Sequence, residues 1–327
     1  MTGALDPPIQ LDSSAGLPSP TVSVVIPMYN RARCIGRAIA SAIGQSVPPL
    51  EIIVVDDGSS DDSCSVVATL AAQEPRIRLL RQEINRGGAA ARNVGLLGAR
   101  AEFVAFLDSD DEWLVDHLER RLAVLQAAPR PALVFGSFYL DDGSSRRLQR
   151  CAPLHGDPLE YLFAARGALR TSTFVGRRAA LLEVQFDDRL RKHQDWDLAL
   201  NLNRRFAIAT DPEPSVVLHA SSADRLSATL DHAASQAFYR KNRPHGSLIG
   251  WVLFCTVMLE RTYRSERRSA NFYEYLDALR TVDPRAHSVV RRLTPLLGVP
   301  RIGGRLFRLV CRRWCLATAR ARQSMSI

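Results

Sequence analysis

Short aliphatic runs alternate with helix-length stretches between Val22 and Phe138, and this rhythm restricts the fold more than any other feature. Val22–Ile26, Ile52–Val55, Arg76–Leu80, Phe103–Leu107 and Ala132–Phe138 are predicted strands. Arg33–Gln45, Asp61–Gln73, Gly88–Ala99 and Val115–Ala128 are predicted helices. Several of these strands are apolar at every position, so neither face meets water, as in a parallel sheet covered on both sides. The alternation predicts an α/β domain, doubly wound around a mostly parallel sheet with helices on both faces. Hydrophobic residues make up 46% of the chain and charged residues 24%, a globular balance that excludes disordered and collagen-like chains.

The rhythm breaks beyond Asp141. Asp141–Asp157 reads as a polar loop, Pro158–Arg166 as a helix, and Phe174–Leu182 as β-like before another helix. Asp195–Arg205 is a predicted helix, and Phe206–Leu218 a strand interrupted by Pro212 and Pro214. From Ala233 the pattern is helical, with a break at Pro295–Gly304. Ile249–Leu259 is the most apolar window, but it is well short of the roughly 20 residues that span a bilayer, so a buried helix is expected. Residues 1–20 are rich in Pro, Ser and Gly and read as a disordered leader. With neither a basic start nor an apolar core, they do not resemble a secretory signal. The six cysteines form no CxxC pair, which removes zinc-ribbon and thioredoxin readings and suits reduced thiols in the cytoplasm.

The net charge of +9 is a property of the tail: fifteen arginines face four acids from Arg261 onward, while the preceding residues are nearly balanced. A basic tail can serve nucleic acid, anionic lipid or solubility. No nucleic-acid-binding motif accompanies it, which favours lipid. On a helical projection of Arg305–Leu316, Arg305, Arg308, Arg312 and Arg313 share one arc, with Phe307, Val310, Cys311, Trp314 and Cys315 opposite. This is the pattern of an interfacial helix at an anionic membrane surface, or of a helix packed on the domain with its basic face in water.

Ligands of open parallel sheets bind beyond the carboxyl ends of the strands. The first predicted strand ends in Pro27-Met28-Tyr29-Asn30, the second in Asp56-Asp57-Gly58-Ser59-Ser60-Asp61-Asp62, and the fourth in Asp108-Ser109-Asp110-Asp111. Two neighbouring strand ends thus deliver acids to one rim, which costs free energy unless cations or hydrogen-bond donors offset it. Ser59 with Asp62 matches a capping box, but Asp56 and Asp57 precede the cap, and Asp57 is a candidate acceptor for the N–H edge of a nucleobase. Asp108 and Asp110 suit a hard divalent cation, Mg²⁺ or Mn²⁺, bridging a diphosphate, or else a solvated acidic turn. Asn85–Asn93 is a glycine-led loop opening a helix, suited to an anion or to close packing, with Arg92 as the candidate phosphate or base contact. The loop does not fit GxGxxG, and PMYNRARC is neither a dinucleotide nor a nucleotidyltransferase loop.

PMYN, VVDDGSSDD, NRGGAAARNVGL and FVAFLDSDDEW, in that order over residues 21–140, resemble the nucleotide-sugar half of family 2 glycosyltransferases. The resemblance implies a GT-A-type fold, a nucleoside-diphosphate sugar donor with UDP favoured, Mn²⁺ or Mg²⁺, and inverting transfer to the hydroxyl of a saccharide or lipid-linked acceptor. By position it gives Asp57 to the base, Asp108 to the ribose region and Asp110 to the metal, with Pro27 and Tyr29 bordering the nucleobase pocket. His193-Gln194-Asp195-Trp196-Asp197 resembles the family's acceptor-side motif, placing Asp195 on the catalytic base, although Gln194 stands where an acid is usual. Leu218-His219 and Asp224–Ser227 resemble the family's mobile loop, which makes His219 a candidate third metal ligand and Arg225 a candidate diphosphate contact. The implied organisation is a leader (1–20), a donor half (21–140), an acceptor half (141–232) and a basic helical extension (233–327). Cell-surface polysaccharide or glycolipid synthesis at the cytoplasmic face of the membrane is the expected setting. The alternative, prompted by Gln194 and the tail, is a non-catalytic scaffold binding nucleotide sugar or lipid.

Overall fold

Parallel pairing begins with β1 (Val22–Met28), which α1 (Ile35–Ile43) connects to β2 (Glu51–Asp56). Next come α2 (Ser63–Ala71), β3 (Ile77–Arg81), α3 (Gly88–Gly98) and β4 (Phe103–Phe106), which pairs with the other edge of β1. Every residue of β1, β2 and β4 is buried, as expected of strands covered on both faces. The structure, a computed structural model, describes residues 20–127, 130–163, 167–219 and 230–298, with Phe307, Cys311 and Arg313. Nearly all of the expected leader, and Arg225 with its loop, lie outside the described residues.

The remaining elements are β5 (Glu112–Trp113), α4 (His117–Gln126), β6 (Leu133–Gly136), β7 (Phe138–Asp141), β8 (Arg146–Gln149), α5 (Pro158–Phe163), β9 (Val175–Arg177) and α6 (Arg178–Val184). After these come α7 (Gln194–Asn203), β10 (Ile208–Asp211), β11 (Val216–His219), α8 (His232–Asn242), α9 (Leu248–Glu266), α10 (Ala270–Val282) and α11 (Pro284–Leu293). The main sheet has seven strands in the order β10-β6-β9-β4-β1-β2-β3, with β9 antiparallel between β4 and β6. A second sheet has the order β5-β11-β7-β8.

Three sequence expectations change here. Ala132–Phe138 is not one strand, because the chain leaves the main sheet after Gly136 and enters the second as β7. Phe206–Leu218 divides likewise into β10 and β11, with the prolines between them. The two crossings are stitched together, Ser137 Oγ donating to the Pro212 carbonyl at 2.5 Å. A Cβ on Gly136 would lie 2.2 Å from the Asp211 carbonyl oxygen, so only glycine fits this close approach. Asp141–Asp157, expected as a loop, contributes β8, which folds back antiparallel on β7.

The C-terminal helices α8 to α11 form a further apolar core around Trp251, Phe254, Phe272 and Tyr275, shared with Leu159 of α5 and Leu200 of α7. Most of Ile249–Leu259 is buried there, within α9. Among the described residues no helix is long and apolar enough to cross a membrane. Phe307 and Cys311, on the apolar stripe that the sequence offered to lipid or to the domain, are buried in this protein core, while Arg313 is exposed. At those two positions protein already covers the apolar face.

Candidate active site

Strand order reverses at β1, whose neighbours β2 and β4 lead away in opposite directions, so a crevice opens beyond their carboxyl ends. The two acidic ends share one rim, although β1 lies between β2 and β4 and they are not neighbours. Pro27 is buried within β1 opposite Val55, whereas Tyr29 stands on the rim with 44% of its surface exposed. Asn30, in left-handed conformation, knits the first two strand ends together: its N–H donates to Ser59 Oγ at 2.9 Å and its Oδ1 accepts from Ser60 N at 2.9 Å. Ser59 therefore does not cap α2. That helix begins at Ser63, whose N–H donates to Asp61 Oδ1. Gly58 has a positive φ of 77° and a Cβ there would come 3.0 Å from Asn85 N, so the turn after β2 lies directly on the glycine-led loop.

Asp57 is the anchor of that loop. Its Oδ1 accepts from Arg86 N at 2.8 Å and Gln82 Nε2 at 3.0 Å, and its Oδ2 from Gly87 N at 2.7 Å. The backbone N–H groups that the sequence offers to an anion are thus held by a protein carboxylate. Oδ2 keeps a further lone pair for an incoming N–H donor.

Beyond β4, Ser172 organises the acidic turn. Its Oγ accepts from Asp108 N at 3.1 Å and donates to Asp111 Oδ2 at 2.6 Å, while Trp113 Nε1 donates to its carbonyl at 2.7 Å. Arg37 of α1 donates to the Asp110 carbonyl at 2.8 Å. His219, at the end of β11, donates its N–H to Asp111 Oδ1 at 3.3 Å, and its ring Nε2 lies 3.2 Å from Glu112 Oε2. Among the described residues no three His, Cys, Asp or Glu side chains stand together as a closed metal cage would require. The oxygen donors at this turn fit a hard cation that keeps water and phosphate in its shell, and not an all-protein site.

The two halves of the chain meet at Arg92. From α3 its guanidinium donates to Asp108 Oδ1 at 2.5 Å and to Gln194 Oε1 at 3.0 Å, and it lies over the Phe186 ring. Both terminal nitrogens are thus engaged by protein, where the sequence offers them to phosphate or base. Gln194 also donates to the Leu190 carbonyl at 2.6 Å. That pairing explains the amide: a carboxylate here would set a bare oxygen against a carbonyl. Asp195, in the first turn of α7, accepts from Trp196 N at 3.0 Å. Lost hydration pushes its pKa up, and Arg170, the Trp196 N–H and Arg92 oppose that rise while the Asp108 charge adds to it. Asp195 is thus a part-buried carboxyl with raised proton affinity in the field of Arg170 and Arg92, properties that suit a candidate general base. Sequence reasoning missed Ser172, Arg37, Gln82 and Arg170. None lies in a motif, and only the fold brings them to the rim.

A profile described as glycosyl transferase family 2 matches residues 23–184. The amylovoran biosynthesis glycosyltransferase AmsB of Erwinia amylovora is 33% identical over 202 residues, spanning 58% of this chain and 67% of that protein. The chain belongs to glycosyltransferase family 2. A second relative of this family 2 glycosyltransferase, the succinoglycan biosynthesis protein ExoO of Rhizobium meliloti (strain 1021), is 31% identical over 283 residues, covering 80% of this chain and 78% of that one. Among solved structures, S. aureus TarS 1-349 in complex with UDP-GlcNAc aligns over 92% of both chains with a TM-score of 0.66 at 19% identity, which shows the shared GT-A-type fold. The protein is a glycosyltransferase, and the scaffold alternative is not favoured.

Proposed function

We propose that this enzyme moves the sugar of a nucleoside-diphosphate sugar, with UDP-sugars first, to a hydroxyl of a saccharide or lipid-linked acceptor with inversion, in the synthesis of cell-surface polysaccharide. One observation carries the reading: Arg92 ties Asp108 of the donor side to Gln194, next to Asp195. The printed names of the relatives, amylovoran and succinoglycan biosynthesis, and the UDP-GlcNAc held by TarS support the substrate classes. Asp57 receives the base edge and Tyr29 flanks it. Asp195 takes the proton of the acceptor hydroxyl as that oxygen attacks the anomeric carbon opposite the departing diphosphate, through an oxocarbenium-like transition state. Asp110, with His219 as the further candidate, would hold Mg²⁺ or Mn²⁺, whose chemistry is Lewis-acid neutralisation of the leaving diphosphate. Arg225 is the proposed diphosphate contact from its loop.

Thermal unfolding with UDP-, GDP- and dTDP-sugars, with and without Mn²⁺, tests the donor. A ligand at 100 times its Kd adds about 2.7 kcal/mol to the folded state, a shift of several degrees. UDP-sugars should raise Tm most, and more with Mn²⁺ than without. A chain that no sugar nucleotide stabilises would overturn the reading.

We further propose contact with the anionic inner face of the plasma membrane. What supports it is an exposed arginine set on α9 to α11 and the turn after α9: Arg264, Arg267, Arg268, Arg280, Arg285, Arg291 and Arg292. Each basic residue near such a surface is worth about 1 kcal/mol. Changing Arg285, Arg291 and Arg292 to Glu should abolish co-sedimentation with phosphatidylserine vesicles at low salt. Equal pelleting of this variant and the parent would remove the idea.

A further inference from the structure

Asp195 lies between two residues that are both pinned from one direction. His193 precedes α7 in left-handed conformation, at φ 63°. Its ring stacks on Trp196 at 4.2 Å between centroids, and its Nε2 meets Ser235 Oγ of α8 at 2.9 Å. Asp197, 1% exposed, accepts from Lys241 Nζ and Asn242 Nδ2, both at 2.8 Å and both on α8. Lys241 also pairs at 2.7 Å with Asp187, in the segment that leads into α7.

Apolar packing of α8 on this region exists independently, through Phe238 against Trp196 and Trp251. Such contacts hold helices together without direction. Hydrogen bonds to buried charged and ring groups have direction, so they set the rotation and height of a helix. Here they act one residue ahead of Gln194 and two residues past Asp195, on the turn that carries Asp195.

We propose that Ser235 and Lys241 are positioning residues for Asp195, α8 holding the first turn of α7 in register with the reaction centre through His193 and Asp197. The inference rests on the reading of Asp195 as the base. It makes α8, the helix that begins at His232, part of the active-site scaffold.

The test reads the Asp195 carboxyl itself. In the full chain labelled with ¹³C at aspartate carboxyls, the Asp195 signal is assigned by its loss in Asp195→Asn, then titrated in Ser235→Ala, Lys241→Met and Lys241→Arg. Arg170, Arg92 and Asp108 face this carboxyl and are untouched by the variants. Burial pushes the His193 pKa down to about 3, so the ring is neutral and Ser235→Ala alters no charge. Ser235→Ala should admit water and lower the Asp195 midpoint by about half a unit. Lys241→Met, which leaves the Asp187 and Asp197 carboxylates without their cation, should raise it, with Lys241→Arg restoring the parental value. UDP binding by calorimetry should stay within about twofold of the parent, since the donor side is intact. Midpoints equal to the parent's in both Ser235→Ala and Lys241→Met overturn the proposal. If Lys241→Met fails to fold because Asp187 and Asp197 lose their cation, Ser235→Ala decides alone. Should Asp195→Asn keep transferring sugar, the base reading fails by itself, and the titration still reports whether α8 positions the carboxyl.

Discussion

Asp195→Asn should lower the turnover of sugar transfer by about 10³-fold, within the range that a positioned general base contributes, while UDP binds as before. The amide is nearly isosteric and can still accept from Trp196 N, so α7 keeps its start. What it cannot do is take a proton. The raised pKa of Asp195 fixes the pH dependence: the carboxylate is the active form, so activity falls as pH drops through a midpoint above the usual carboxylate range. Arg170 opposes that rise. Arg170→Met should therefore move the acid limb of kcat/KM to higher pH and leave the alkaline side unchanged. Parental turnover in Asp195→Asn, or an acid limb that stays put in Arg170→Met, would remove Asp195 from the role.

Arg92→Met should cost about 10²-fold in kcat/KM, the order expected when reacting groups are misplaced by about 1 Å. The guanidinium forks between Asp108 and Gln194, and one ammonium cannot reproduce that geometry, so Arg92→Lys should recover little. Removing it leaves Asp108 without its cation and Gln194 Oε1 without its donor. The measurement is steady-state transfer at saturating acceptor. Activity within threefold of the parent, a threshold of about 0.65 kcal/mol, would show that the two halves need no charged link.

The donor side was legible because its signals are local. The strands β1, β2 and β4 announce themselves by apolar runs, which only Ser23 of β1 interrupts, and Asp57, Asp108 and Asp110 become candidates by lying directly after β2 and β4. What the sequence could not show depends on pairing partners. Ala132–Phe138 reads as one strand since the same apolar residues suit either sheet, and only the contact of Gly136 with Asp211 divides it. The three residues of β9 are too few to display antiparallel placement. Asp57 and Arg92 were offered to ligands on their charge and their places at a strand end and a helix start. That loop amides, Asp108 and Gln194 would engage them is a matter of contacts between residues 16 to 102 positions apart. At Phe307 and Cys311 the second of the two readings of the tail applies, protein covering the apolar stripe. The sequence left both open because an amphipathic helix looks the same whether oil or protein covers it.

Antiparallel β9 has an evolutionary corollary. By lying between β4 and β6 it makes donor-side and acceptor-side strands members of one continuous hydrogen-bonded ladder. No bending joint exists between them, so separating the two walls of the crevice would mean tearing backbone pairs apart. New substrates would then be accommodated by rewriting the segments that leave the strand ends, while the angle between the walls stays an inherited constant.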